Sequence, residues 1–224
     1  MKIVSRDIYK DWYTNEYKTN NSQSIFGSPR EEILNFIKLL PIDSSIIELG
    51  CGDGRNIEKM LEKKIYVTGV DLIDKIYLNK FLLNNRFRYI QKDINSIDFS
   101  LNKYSSLLCL EVLHMFSKEE IENILKKSMP SIELNGYIFV DILSELSRYF
   151  TKTGEKFKWD KEASFSIENS KKLLLKIFLD WDILKIGYRY DIQSWPIGDS
   201  PQLPIEPYTW KGTYVYIIAR KRSC

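Results

Sequence analysis

The sequence predicts an α/β fold: a doubly wound, mostly parallel sheet of seven strands whose last two strands form an antiparallel pair. Three observations predict it. From residue 29 to residue 143, strand-like runs alternate with helical patterns at intervals of roughly 20–30 residues, the rhythm of parallel strands joined by crossover helices. An apolar run, Ile46-Ile-Glu-Leu49, enters a turn carrying Gly50, Gly52 and Gly54 and leaves it as a helix. After residue 180 the alternation stops, and the runs 183–192 and 213–219 follow each other with a proline-rich loop and no helix between them.

Each element has a local cause. Ser28-Pro29-Arg30-Glu31 reads as a capping box with proline at the first helical position. The helix it opens places Ile33, Leu34, Phe36, Ile37 and Leu40 on one broad face, and Pro41 stops it. Strands are expected at Ser45–Leu49, 65–70, Phe87–Gln91, 105–110 and 137–143, with helical stretches at 54–63, 74–84 and 168–179. Ser117 and Glu120 form a second capping box, ahead of a helix with Ile121, Ile124, Leu125 and Met129 inward. Asn135-Gly136 is the turn into the fifth strand.

Composition narrows the class. A chain of 224 residues holds one well-cored α/β domain spanning 1–224, and a net charge of +3 is too mild to argue for nucleic acid. The basic end Arg220-Lys221-Arg222 reads as a solvated terminus. Cys51, Cys109 and Cys224 are odd in number and irregular in spacing, which suits neither a disulfide framework nor a metal site. They are expected to be reduced thiols in a cytoplasmic protein, with no signal peptide at the start and no apolar run long enough to span a membrane.

The chemistry gathers at strand ends, where such sheets bind ligands. The glycine turn carries Glu48 before it and Asp53 inside it, no lysine, and only Arg55 beyond. Two carboxylates repel a phosphate and suit a cation. The spacing G-x-G-x-G also lacks the third glycine of a nicotinamide-binding turn, since position 55 is Arg55. The ligand these features favour is S-adenosylmethionine, with a sulfonium, an ammonium and no phosphate. Asp71 ends the second strand, where a carboxylate accepts from ribose hydroxyls. Asp93 and Ile94 end the third, suited to the adenine amino group and ring. Leu110, Glu111 and His114 follow the fourth, facing the methionine part or the methyl group.

These residues resemble a family. Glu48-Leu-Gly-Cys-Gly-Asp-Gly54, Val70-Asp71-Leu72, Lys92-Asp93-Ile94 and Cys109-Leu-Glu-Val-Leu-His114 look like the motifs of a class I S-adenosylmethionine-dependent methyltransferase. The chain is most similar to the small tellurite-resistance-type and thiopurine-type members, through Asp11-Trp-Tyr-Thr-Asn-Glu-Tyr17, Gly54-Arg55-Asn56, Val112-Leu-His-Met-Phe116 and Ile217-Ile-Ala-Arg-Lys221. The resemblance implies a Rossmann-like fold. It implies a cofactor held by Glu48, Gly50, Cys51, Gly52, Gly54, Asn56, Asp71, Leu72, Asp93, Ile94, Leu110 and Glu111. It further implies that the N-terminal segment 1–28 folds over the cofactor and brings Tyr13 or Tyr17 against it. Tellurite-type relatives carry a histidine–arginine pair between their last two strands; this chain has no histidine there, which speaks against a metalloid acceptor.

The expected reaction is in-line methyl transfer to a small, partly apolar or aromatic acceptor: a metabolite, natural product or small peptide. Trp195, Tyr208 and Trp210 share a loop with Pro196, Pro201, Pro204 and Pro207, so residues 193–212 are expected to wall the acceptor. Residues 144–166, with Tyr149, Phe150, Phe157 and Trp159, are expected to form the opposite wall. His114, the only histidine, is the candidate catalytic residue, with packing beneath the cofactor as its plainer role. No metal, nucleic acid or membrane partner is expected. The alternative function is a cofactor-binding regulator or an inactive partner subunit.

Overall fold

The computed structural model describes residues 1–15, 24, 26–195 and 205–223. In chain order the elements are β1 (Lys2–Val4), α1 (Arg6–Asn15), α2 (Glu31–Leu39), β2 (Ser45–Leu49), α3 (Ile57–Glu62), β3 (Tyr66–Asp71), α4 (Asn79–Leu82) and β4 (Phe87–Gln91). There follow β5 (Tyr104–Cys109), α5 (Lys118–Ser128), β6 (Ile132–Phe150), β7 (Lys156–Trp159), α6 (Ile167–Ile177), β8 (Trp181–Trp195) and β9 (Tyr208–Lys221).

Pairing gives the order β4-β3-β2-β5-β6-β9-β8 across the main sheet, parallel from β4 to β6 and with β9 antiparallel to both neighbours. This is the expected Rossmann-like, doubly wound architecture. It carries an addition: β7 pairs antiparallel with the far end of β6, and β1 pairs parallel with β7. Alternation along the strands separates two cores. Ile47, Leu107 and Val140 face α5 and α6, whereas Ile46, Leu108 and Phe139 face α2, α3 and α4. Among the described residues no helix is long and apolar enough to cross a membrane.

Two local expectations change. The capping box at Ser28 does not form: α2 begins at Glu31 with Arg30 as an N-cap that makes no side-chain cap bond. Arg30 instead turns its guanidinium toward Glu111 and Asp191. The second capping box, Ser117 with Glu120, forms in full. The stretch 74–84 is a short 3-10 turn followed by α4, because the Asp74 side chain caps the Ile76 N–H and tightens the entry.

The largest change concerns β6, β8 and β9, all of which run well past the ends that periodicity suggests. Ser144, Glu145, Ser147 and Arg148 interrupt the apolar pattern of β6. Pairing with β9 nonetheless continues beyond an irregularity between Ser144 and Ser147 as far as Phe150 opposite Tyr208. A bulge absorbs the break and increases the local twist. The three strands therefore curl beyond the carboxyl ends of the parallel strands. There they meet β1, β7 and α1 around a third core that contains Trp12, Trp159, Trp195, Tyr208, Trp210 and Tyr214.

Candidate functional site

The glycine turn after β2 is shaped by contacts a side chain would destroy. Gly50 has φ 75°, and a Cβ there would lie 2.1 Å from Val112 Cγ2. The Gly50 and Cys51 N–H groups donate to the Val70 carbonyl at 2.8 and 3.1 Å. Gly52 N–H donates to Asp71 Oδ2 at 2.7 Å. Gly54 differs from the expected cofactor contact: a Cβ there would meet Phe81 at 2.4 Å, and the residue does not border the cavity. Its role is to let α4 pack against the turn.

Glu48 lies at the floor of the turn, buried, with Oε1 accepting from Asn56 Nδ2 at 2.6 Å. Its Oε2 and the Asn56 Oδ1 are buried without a hydrogen-bond partner. Burial raises its pKa to about 7, against the opposing hydrogen bond from Asn56. Two orphaned acceptors beside a bare backbone turn are the donor-seeking surface that an ammonium satisfies. The residues present thus fit S-adenosylmethionine. A cation there favours the charged carboxylate, so binding releases a proton wherever Glu48 is protonated beforehand. Cofactor affinity is therefore expected to fall as pH drops below about 7, by up to about tenfold per unit. Calorimetry between pH 8 and 6 measures this, and Glu48→Gln should flatten the profile; an unchanged slope in that variant would assign the proton elsewhere.

Asp71, at the end of β3, is more heavily engaged than a ribose acceptor need be. Besides Gly52, its carboxylate accepts from the Leu72 N–H at 2.6 Å and the Ile73 N–H at 3.4 Å. Burial still raises its pKa to about 6. A carboxylate has about four lone-pair sites, which leaves room for a hydroxyl. Asp93 caps the turn at Asn95 and pairs with Lys10 of α1 at 2.6 Å, while Ile94 is buried beside it.

Glu111 departs from its expected role. Its carboxylate joins Arg30 (2.9 Å), Arg189 (2.9 Å) and Arg55 (3.3 Å). Burial alone would raise its pKa, but the three guanidiniums hold it below the ordinary carboxylate range. Its backbone is left-handed, φ 62°, with the N–H on Asp141 Oδ1 at 2.8 Å. The hub ties the glycine turn, the start of α2 and β8 together. Its oxygens are therefore largely committed to protein partners. Asp141 itself, buried, rises to about 7.

One cavity of about 220 Å³ joins these groups to the aromatic core. Tyr13, Glu48, Gly50, Cys51, Gly52 and Asn56 border it on one side, and Asp71, Leu72, Asp93, Ile94, Leu110 and Glu111 extend that border. Tyr17 lies outside the described residues. Trp195, Tyr208 and Trp210 also line the cavity, but from paired strands and not from a loop: Trp195 sits opposite Tyr208, and Gln193 opposite Trp210. Pro196, Pro201 and Pro204 lie outside the described residues. Tyr149 does not line the cavity; on β6 it alternates with Arg148, which does. Of the other wall, Trp159 borders the cavity, while Phe150 and Phe157 stack behind it with ring centroids 4.5 Å apart.

The residues the sequence reading passed over are the basic ones. Arg148 is buried in an ion pair with Glu162, whose carboxylate also accepts the Trp159 N–H at 3.1 Å. Arg6 bonds the Met115 carbonyl at 2.7 Å and pairs with Glu120, tying the start of α1 beside the cavity. No spacing signal marks either one, because their partners lie more than a dozen residues away in sequence. His114 lines the cavity, and its Nδ1 has no hydrogen-bond partner. Burial, reinforced by the charge of Arg148, lowers its pKa to about 3, so the imidazole is neutral at ordinary pH.

Comparison with known proteins agrees with this geometry. Residues 46–136 match the family profile of a methyltransferase domain. The chain is 28% identical over 116 residues to phosphoethanolamine N-methyltransferase 3 of Arabidopsis thaliana, covering 49% of this chain and 23% of that enzyme. It therefore spans less than a quarter of the curated relatives it matches. TehB from Haemophilus influenzae superposes with a TM-score of 0.61 at 17% identity, covering 95% of this chain and 67% of TehB. The 1,6-didemethyltoxoflavin-N1-methyltransferase of Burkholderia thailandensis, solved with 1,6-didemethyltoxoflavin and S-adenosylhomocysteine, gives 0.61 at 15% identity over 97% and 87% of the two chains. Residues 46–136 are thus similar to a methyltransferase domain, and the fold of the chain is similar to that of TehB and of the 1,6-didemethyltoxoflavin-N1-methyltransferase.

Proposed function

We propose that the chain transfers a methyl group from S-adenosylmethionine to a small, partly apolar or aromatic acceptor by in-line displacement. The observation that carries this reading is the continuity of the cavity from the glycine turn to the chamber of Trp159, Trp195, Tyr208, Trp210 and Tyr214. The cofactor, when bound, supplies a methyl group on a positively charged sulfur that departs as a neutral thioether. In this reading Glu48 and Asp71 hold its charged and hydroxyl-bearing ends, and Ile94 packs against its base. The aromatic walls exclude water and align the acceptor, and alignment alone is worth ~7–11 kcal/mol of barrier. Their rings suit an acceptor with an apolar face and a polar edge. His114, neutral and with an Nδ1 that has no hydrogen-bond partner, orients the nucleophilic N–H or O–H of the acceptor by a hydrogen bond, and the acceptor's proton passes to solvent as the product leaves. The partner is a small molecule or small peptide, with no nucleic acid or membrane involved, and the setting is cytoplasmic.

Ligand-dependent melting followed by a product screen tests the reading. S-adenosylmethionine and S-adenosylhomocysteine should raise the melting temperature and NAD should not, since a ligand at 100 times its dissociation constant stabilises by ~2.7 kcal/mol. Mass spectrometry of small aromatic and heteroaromatic acceptors should then show a methylated product with S-adenosylhomocysteine. A shift with NAD alone would overturn the cofactor. Cofactor binding without turnover of any acceptor would favour a regulator or an inactive subunit.

A further inference from the structure

Among the described residues the outer edge of the sheet is open. β8 is 15 residues long and, among the described residues, pairs only with β9. The opposite edges are short: β4 has five residues and β1 has three. At ~3.3 Å per residue β8 offers ~50 Å of unpaired backbone. Its exposed side chains are mostly apolar, with Leu184 48%, Tyr188 51%, Tyr190 61% and Ile192 55% exposed and Lys185 and Ser194 the polar exceptions. Natural edges are guarded by charge, proline, bulges or brevity. β8 has no proline, and its single bulge lies at the start, between Ile183 and Lys185. The charges nearest the exposed stripe, Arg189 and Asp191, lie on the other face, bonded to Glu111 and Arg30.

We propose that β8 is the self-association surface of this protein, pairing antiparallel with β8 of a second copy across a twofold axis at Tyr188. A second copy fits because the strand is complementary to itself in one register. Antiparallel pairing that keeps the apolar faces together places residues of the same parity opposite each other. With Tyr188 opposite its own copy, the regular stretch from Lys185 to Asp191 pairs along its whole length, and the bulge interrupts the ladder beyond it. Ile186 then faces Tyr190, and Lys185 faces Asp191 twice over. Sliding by two residues one way sets Lys185 opposite Arg189, and the other way sets Arg189 opposite Arg189. Both like-charge pairings are unfavourable. Further slips shorten the ladder. The pairing would brace the strand whose inner face carries Arg189, Asp191 and Trp195 to the site. It does not depend on the identity of the acceptor.

Analytical ultracentrifugation of the whole chain, from about 1 to 100 μM, should show a dimer in the wild type. Tyr188→Lys places two ammonium groups at the axis and should raise the dissociation constant about tenfold or more. This exposed change should leave the melting shift with S-adenosylhomocysteine intact. A pair of cysteines reports the register independently. In a Cys224→Ser background, Tyr188→Cys should oxidise rapidly to a covalent dimer, since opposed Cα atoms lie ~4.5–5.5 Å apart. Tyr190→Cys, whose own copy is offset along the strand, should not. A wild type that is monomeric throughout overturns the proposal. So does a dimer that Tyr188→Lys leaves equally tight, or one cross-linked as fast by Tyr190→Cys as by Tyr188→Cys.

Discussion

Asp71→Ala is expected to lose S-adenosylmethionine binding and stability together. The ribose reading on its own implies a weaker ligand in an intact fold. The geometry adds a second consequence, because the carboxylate also closes the glycine turn through the Gly52, Leu72 and Ile73 N–H groups. Orphaning buried donors costs ~1–3 kcal/mol each, so a loss of about 2–4 kcal/mol is expected. For a chain of this size that lowers the melting temperature by ~5–15 °C. Affinity should fall about 100-fold or more, from the lost charge-assisted bonds and the loosened turn. Asp71→Asn keeps one acceptor oxygen and sheds the buried charge, so its fold should survive while its affinity still drops. Calorimetry and thermal melts read the two effects separately. A normal melting temperature in Asp71→Ala would show that the carboxylate serves the ligand and not the turn.

Arg148→Met should be the most destabilising single change in the acceptor chamber. It leaves Glu162 buried beside Trp159 without its cation, a loss worth ~3–5 kcal/mol and a fall of ~10–15 °C in melting temperature. Adding Glu162→Gln should restore much of that, since a neutral amide tolerates burial. The sign with pH follows from Glu162. Burial already raises its pKa in the fold, and removing Arg148 raises it further. A carboxyl with a raised folded pKa contributes stability below its unfolded pKa and loses it as pH rises through the folded value. The deficit of Arg148→Met should therefore be larger at pH 8 than at pH 5. A variant melting within about 2 °C of the wild type at pH 8 would show that the pair is dispensable.

The fold and the residues that border the glycine-turn side of the cavity were legible because their signals are local. The turn at Gly50 needs a left-handed backbone and a bare Cα, and a strand ending in an acid is written in adjacent residues. Gly54 shows the limit of that logic: the same glycine signal arose from packing against Phe81 and not from ligand approach. Glu111 shows another. An acid at a strand end is legible, but the three arginines that occupy it come from residues 30, 55 and 189. The aromatic wall was recognised by composition and misplaced as a loop. Periodicity loses a strand where Ser144 to Arg148 break the apolar pattern, whereas the ladder to β9 does not.

By itself the sequence determined the parallel α/β order, the glycine turn and the acids at its strand ends, and hence the class of cofactor. Each rests on interactions between near neighbours or on one-dimensional periodicity, and those survive without coordinates. Only the tertiary structure decided which way Arg148 and Tyr149 face, that Trp195 and Tyr208 oppose each other on extended strands, and that the Arg30 guanidinium turns to Glu111. Those outcomes depend on pairing register and on buried charges finding partners across the fold. Electrostatic attraction and strand pairing act through space, and sequence distance carries no record of them.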